Sequence, residues 1–266
     1  MPWVLGGPAG MYVGFVESEP GVKVRFVLMP GGGSPVFVVH GLGESLEGWV
    51  WLGRLLAEKG FDVVLVDLRG HGSSSRSLPK PPSLDDYARD ILAVADELGY
   101  SEGVGGVGFS LGGYSLLKAE DLRPGFLTRL ALISSAHRVG DREGIVKRAR
   151  LAREGRLGEL ALRIARALSI PLSRAEAIAR SLDPSIYAPT AESLALEDLS
   201  TPLARVASRG GVVVVAGERD GLLGAKVLEE AKGLGARVIV VEGASHFLEG
   251  RGRLVVAREV LRLLSG

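Results

Sequence analysis

Six short apolar runs, most of them separated by stretches long enough for a helix, constrain this chain more than any other feature of it. They are Val36 to Val39, Phe61 to Val66, Gly103 to Phe109, Arg129 to Ser134, Val212 to Ala216 and Arg237 to Val241. The first is continuously apolar, as a strand covered on both faces requires. Between runs, apolar residues recur at helical spacing. Trp49, Leu52, Leu55 and Leu56 precede Gly60, which stands where a left-handed residue closes a helix. Leu84, Ala88, Ile91, Ala95 and Leu98 follow Ser83 and Asp86, the spacing of a capping box. Further helices are expected from Ser110 to about Glu120, from about Leu222 to Lys232 and from about Arg253 to Leu264. Strands that alternate with helices are joined by right-handed crossovers, so the expected class is α/β: a mostly parallel sheet with helices on both faces. Ahead of it, Tyr12 to Glu17 and Val22 to Leu28 meet at Pro20-Gly21 as an antiparallel hairpin.

Between His137 and Arg205 the alternation stops and only helical patterns occur. Leu157, Leu160, Ala161, Ile164, Ala165 and Leu168 share one face; Ala175, Ile178, Ala179 and Leu182 share another, entered through Ser173 with Glu176 as box partner. At 266 residues the chain suits one large domain with an insertion. The expected division is a core of residues 1–136 and 206–266 and an inserted helical cap of residues 137–205. Leu157, Leu160, Ile164 and Leu168 either line a pocket or pack the cap against the core. Arg148, Arg150, Arg153 and Arg156 read as a solvated face.

Function in such sheets lies at the carboxyl ends of the strands. One of those ends carries Gly108-Phe109-Ser110-Leu111-Gly112-Gly113, which reads as a nucleophile elbow: a serine on a tight strand-to-helix turn with small residues two before and two after it. A serine hydroxyl needs a histidine to take its proton, and the histidine needs a carboxylate to fix its tautomer. Both follow in the order Ser, Asp, His. Asp220 lies after the strand at 212–216, and His246 after the strand at 237–241. Glu218 and Asp141 remain rival carboxylates. With four scattered histidines and no close carboxylate pair, neither a metal site nor a cofactor is expected.

Together these features resemble the α/β-hydrolase fold superfamily, in particular its capped members, which include esterases, haloperoxidase-like enzymes and carbon–carbon bond hydrolases. The resemblance spans nearly the whole chain. It rests on His40-Gly41, on Asp67-Leu68-Arg69-Gly70-His71-Gly72-Ser73, on the elbow, and on the Asp220 and His246 loops. It implies Ser110, Asp220 and His246 as catalytic residues and the backbone N–H groups of Leu42 and Leu111 as an oxyanion hole. His40 and His71 then shape loops through bonds to nearby backbone, and His137 is a hinge or pocket wall. Trp49 and Trp51, just beyond the oxyanion loop, wall the site or belong to the core. The implied activity is that of a serine carboxylesterase. The alternatives are the same fold and triad turned to perhydrolysis, carbon–carbon bond or lactone hydrolysis or acyl transfer, or a binder of small molecules without turnover.

Composition limits the partners. A net charge of +1, with 24% charged and 46% hydrophobic residues, gives no field for nucleic acid or an anionic membrane and points to a small apolar ester. No run approaches a membrane span, and Met1-Pro2-Trp3 lacks the basic start of a secretory signal, so a cytoplasmic protein is expected. The oligomeric state is left open. There is no cysteine, asparagine or glutamine, and arginine outnumbers lysine 25 to 7, which suggests a thermostable protein.

Overall fold

The computed structural model describes residues 10–266 and, by backbone alone, the two-residue strand β1 (Val4–Leu5). Met1-Pro2-Trp3 lies outside the described residues. β1, β2 (Tyr12–Glu19) and β3 (Val22–Met29) pair antiparallel, and β3 pairs antiparallel with β5 (Asp62–Val66). From β5 onward the sheet is parallel, through β4 (Pro35–Val39), β6 (Val104–Phe109), β7 (Leu127–Ile133), β8 (Val212–Gly217) and β9 (Arg237–Val241). Spatial order departs from chain order at β4, which lies between β5 and β6 with Val39 opposite both Val66 and Gly108. That reversal opens a crevice outside the strand ends, and the loops after β4 and β6 border it.

The two faces of the sheet are covered separately. On one, α1 (Val50–Glu58) and α10 (Arg251–Ser265) bury Leu52, Leu56, Val256 and Val260 against Val36, Val38, Val107 and Val213. On the other, α2 (Leu84–Leu98), α3 (Leu111–Leu122) and α8 (Ser200–Arg209) bury Ile91, Leu116 and Leu203 against Phe37, Val39 and Leu132. The signals at Ser83 and Gly60 act as expected. Ser83 and Asp86 form a reciprocal capping box. After α1, Gly60 at φ 92° lets its own N–H and that of Phe61 reach back to Ala57 and Leu56, satisfying the last carbonyls. The helix expected from Leu222 is α9 (Gly224–Gly233).

Four helices are inserted between β7 and α8: α4 (Arg142–Arg153), α5 (Leu157–Leu168), α6 (Leu172–Ser181) and α7 (Pro184–Leu196). They share a small core of Leu151, Leu160, Ile164, Ala175, Ala179 and Tyr187. Where the insertion begins and ends, the Leu199 N–H donates to the His137 carbonyl at 2.8 Å. Two expectations change here. The boundary at 205/206 falls inside α8, whose Leu203 and Val206 belong to the main core, so that helix packs with the sheet rather than with the insertion. Helix α6 is not capped by Ser173. It starts at Leu172, and the Pro171 carbonyl accepts from the N–H groups of Arg174 and Ala175, which leaves Ser173 inside the first turn.

Candidate active site

The chain turns from β6 into α3 at Ser110, with φ 47° and ψ −115°. That region is costly for a residue with a Cβ, about 1–3 kcal/mol, and persists only where the surroundings enforce it. Here they do. A Cβ on Gly108 would lie 2.4 Å from the Gly113 backbone, and one on Gly112 would lie 2.2 Å from the Val39 carbonyl oxygen. The small residues let α3 fold back onto β6 and sit against the end of β4, and the Ser110 N–H is fixed on the Ile133 carbonyl at 2.8 Å.

The loop after β4 runs beside the serine. His40 is buried; its Nδ1 donates to the Gly41 carbonyl at 2.7 Å and its Nε2 accepts from the Leu68 N–H at 3.1 Å, joining this loop to the one after β5. His71 Nδ1 donates to the Arg69 carbonyl at 2.9 Å. Burial holds both rings down to about 4, so they are neutral near pH 7. Their loop-shaping role is what these bonds describe. Leu42 and Leu111 both line the cavity beside Ser110, and among the described residues no hydrogen bond engages the N–H of either. Glu44, four residues past His40, also lines the cavity. Its Oε2 accepts from the Gly41 N–H at 3.2 Å and from Trp49 Nε1 at 3.3 Å, and burial raises its pKa. Trp49 thus backs Glu44 and packs on Phe109, with ring centres 5.5 Å apart, rather than walling the cavity beside Ser110. Trp51 lies beneath the Arg253 guanidinium.

Position selects which carboxylate His246 bonds. His246 Nδ1 donates to Asp220 Oδ2 at 2.8 Å, with both side chains buried. The other two carboxylates are occupied elsewhere: Glu218 accepts from the Gly243 N–H, and Asp141 caps α4 through the Gly144 N–H while pairing with Arg148. With Nδ1 donating, the His246 Nε2 keeps a lone pair. The histidine loop is clamped from two sides. Ser134 Oγ donates to the His246 carbonyl at 2.6 Å, and the His246 N–H donates to the Leu168 carbonyl at 3.2 Å. The end of α5 also accepts the Gly221 N–H on Ala167, and Ser169 Oγ donates to the Arg219 carbonyl.

Ser110, Leu42, Leu111 and His246 line one cavity of about 280 Å³, small for a ligand pocket. The insertion supplies most of its other walls, including Ile145, Ile164, Leu168, Ile178 and Tyr187. Of the four insertion residues singled out, Ile164 and Leu168 line the cavity, Leu160 packs inside the insertion and Leu157 is exposed. His137 does not line it; its Nε2 lies 3.2 Å from Glu230. The largest correction concerns Arg148, read above as solvated: it is buried, pairs with Asp141 and lines the cavity. A readable signal existed, because Ile145, Arg148, Ala149 and Ala152 fall at one helical spacing and all four are buried.

A family model for the alpha/beta hydrolase fold matches residues 34–248. The chain belongs to the α/β-hydrolase fold family. Solved members share its architecture: an enol-lactonase from Burkholderia xenovorans LB400 superposes with a TM-score of 0.77 over 94% of this chain and 100% of that one, at 23% identity. An esterase from Exiguobacterium antarcticum does so with a TM-score of 0.78 over 95% and 99%, at 18% identity. In sequence, this α/β-hydrolase-fold chain is 35% identical over 102 residues to bifunctional epoxide hydrolase 2 of Sus scrofa. That match takes in 36% of this chain and 18% of the relative, so it spans less than a fifth of that protein's length. Among the described residues, no helix of this α/β-hydrolase-fold chain is long and apolar enough to cross a membrane.

Proposed function

We propose that this protein is a serine carboxylesterase acting on small esters. The observation that carries the reading is the buried 2.8 Å bond from His246 to Asp220, in the wall of the cavity that holds the strained Ser110. Asp220 fixes the imidazole with Nε2 free to accept the serine proton. Ser110 Oγ attacks the ester carbonyl carbon, and the carbonyl oxygen takes up the negative charge. The N–H groups of Leu42 and Leu111 receive that charge; losing one such donor costs about 100- to 1,000-fold in rate. Collapse of the intermediate expels the alcohol, which takes its proton from His246 and leaves an acyl-serine. His246 then removes a proton from water, hydroxide adds to the acyl carbon, and the acid departs as Ser110 regains its proton. The inserted helices act as a cap that gives the cavity its apolar walls.

A serine at the elbow supports ester chemistry over epoxide opening, which needs a carboxylate nucleophile at that position. Replacing it is the direct test. Ser110→Ala is expected to lower turnover of short 4-nitrophenyl esters by about 10⁶, and a fluorophosphonate probe should label the wild type and not the variant. Full activity in a folded Ser110→Ala protein would refute the assignment. Absence of labelling in the folded wild type would favour a binder without turnover.

A further inference from the structure

Four buried side-chain polar atoms among the described residues have no hydrogen-bond partner: Ser135 Oγ, His137 Nδ1, Arg142 Nε and Arg148 Nη2. Of these four residues, Arg148 alone lines the cavity that holds Ser110. Its side chain is only 6% exposed and reaches into an apolar neighbourhood from the buried face of α4. An arginine does not shed its proton, so the charge has to be answered in place. The answer the protein supplies is partial. Asp141 Oδ2 accepts from Nη1 at 3.2 Å, but that carboxylate is 41% exposed and its other oxygen is spent capping α4. Tyr187, buried beside the same guanidinium and also lining the cavity, contributes a hydroxyl.

The other cavity charges are better balanced. Arg174 pairs with Glu249 at 2.8 Å and stacks on Phe247 with its guanidinium carbon 4.2 Å from the ring centre. Glu44 accepts from the Gly41 N–H and from Trp49 Nε1. A buried donor left unmade costs free energy that an incoming acceptor recovers, and charged acceptors recover more than neutral ones. Net charge suggests a neutral, apolar partner; this local imbalance does not.

We propose that Arg148 Nη2 and the Tyr187 hydroxyl form an anion subsite, so that the preferred substrates are small esters carrying a carboxylate. The planar donor and the hydroxyl suit the two oxygens of that group, and the apolar walls suit a short methylene spacer between acid and ester. The subsite makes Arg148 a specificity-determining residue. It rests on the esterase reading for its kinetics but not for its binding.

The test compares 4-nitrophenyl 4-carboxybutanoate with its neutral isostere, 4-nitrophenyl 4-carbamoylbutanoate. The wild type should favour the acid by tenfold or more in kcat/KM. Arg148→Met should bring the ratio to about one, and Arg148→Lys should restore part of it. A wild-type ratio at or below one overturns the proposal and needs no variant to fold. Calorimetry on the Ser110→Ala protein separates the two readings: monomethyl glutarate should bind at least tenfold more tightly than methyl 4-carbamoylbutanoate. That preference without hydrolysis of either nitrophenyl ester would sink the esterase reading and uphold the subsite. Hydrolysis of both esters without that preference would sink the subsite and uphold the esterase.

Discussion

Asp220 takes the Nδ1 hydrogen of His246 with one oxygen and the Leu222 N–H with the other, so the carboxylate cannot turn away without losing both bonds. Its proposed work is to fix a tautomer. An amide of the same shape at that position can present N–H instead of oxygen to the ring and favour the wrong tautomer. Asp220→Asn is therefore expected to lower kcat by about 10⁴ while leaving the fold intact. Glu218→Gln, altering a carboxylate two residues away that accepts from the Gly243 N–H and not from His246, should stay close to wild type. Single-turnover kinetics with one 4-nitrophenyl ester across the two variants checks the pair, and equal losses would contradict the assignment. Arg148 makes the complementary point. It sits buried on the apolar face of α4, with Asp141 answering only part of its charge.

The loops that leave β4 and β5 meet through two histidines whose ring centres are 5.2 Å apart. In the unfolded chain both rings protonate near 6.5; in the folded protein burial delays this to about 4. Between those values the unfolded state binds more protons, so stability falls as pH falls. The loss is about 1.4 kcal/mol per pH unit for each ring, and His137, also lowered by burial, adds in the same sense. Chemical denaturation should show little change from pH 7.5 to 6.5 and approach that slope from pH 6.5 down to 5, and a flat profile throughout would contradict the neutral, buried assignment. These elements also show what sequence conveys. Strand runs, the Ser83 box and the Gly60 closure are local signals, decided by covalent geometry and one or two hydrogen bonds, and they were legible. The elbow and the Asp220 and His246 loops were legible because strand order carries each to the same sheet edge. Chain order and the family resemblance pointed to Asp220, but they did not remove Glu218 and Asp141 as rivals, since that depends on which loop touches which. The start of α6, the side to which α8 packs and the burial of Arg148 depend likewise on contacts between segments far apart in the chain.

Across the whole molecule, arginine ties elements together where a smaller core would leave them separate. Arg69 bonds Asp90 through Nε at 2.8 Å and Nη2 at 2.6 Å and also pairs with Glu19, joining the β5 loop to α2 and β2. Glu120, buried in α3, accepts from the Gly125 and Leu127 N–H groups and from Arg209 of α8 at 2.8 Å. Such networks weigh more at high temperature, because the cost of removing charges from water declines as temperature rises. With no asparagine, glutamine or cysteine to degrade, cooperative unfolding above about 70 °C is expected; a calorimetric midpoint near 50 °C would count against it. The bonds from Ala167, Leu168 and Ser169 to Gly221, His246 and Arg219 bear on a different question, that of inheritance. An insertion that only covered the sheet would be a free module, exchangeable between relatives to alter which molecules enter. This one also steadies the histidine loop, so a transplanted insertion would change the cavity walls and remove that support in one step.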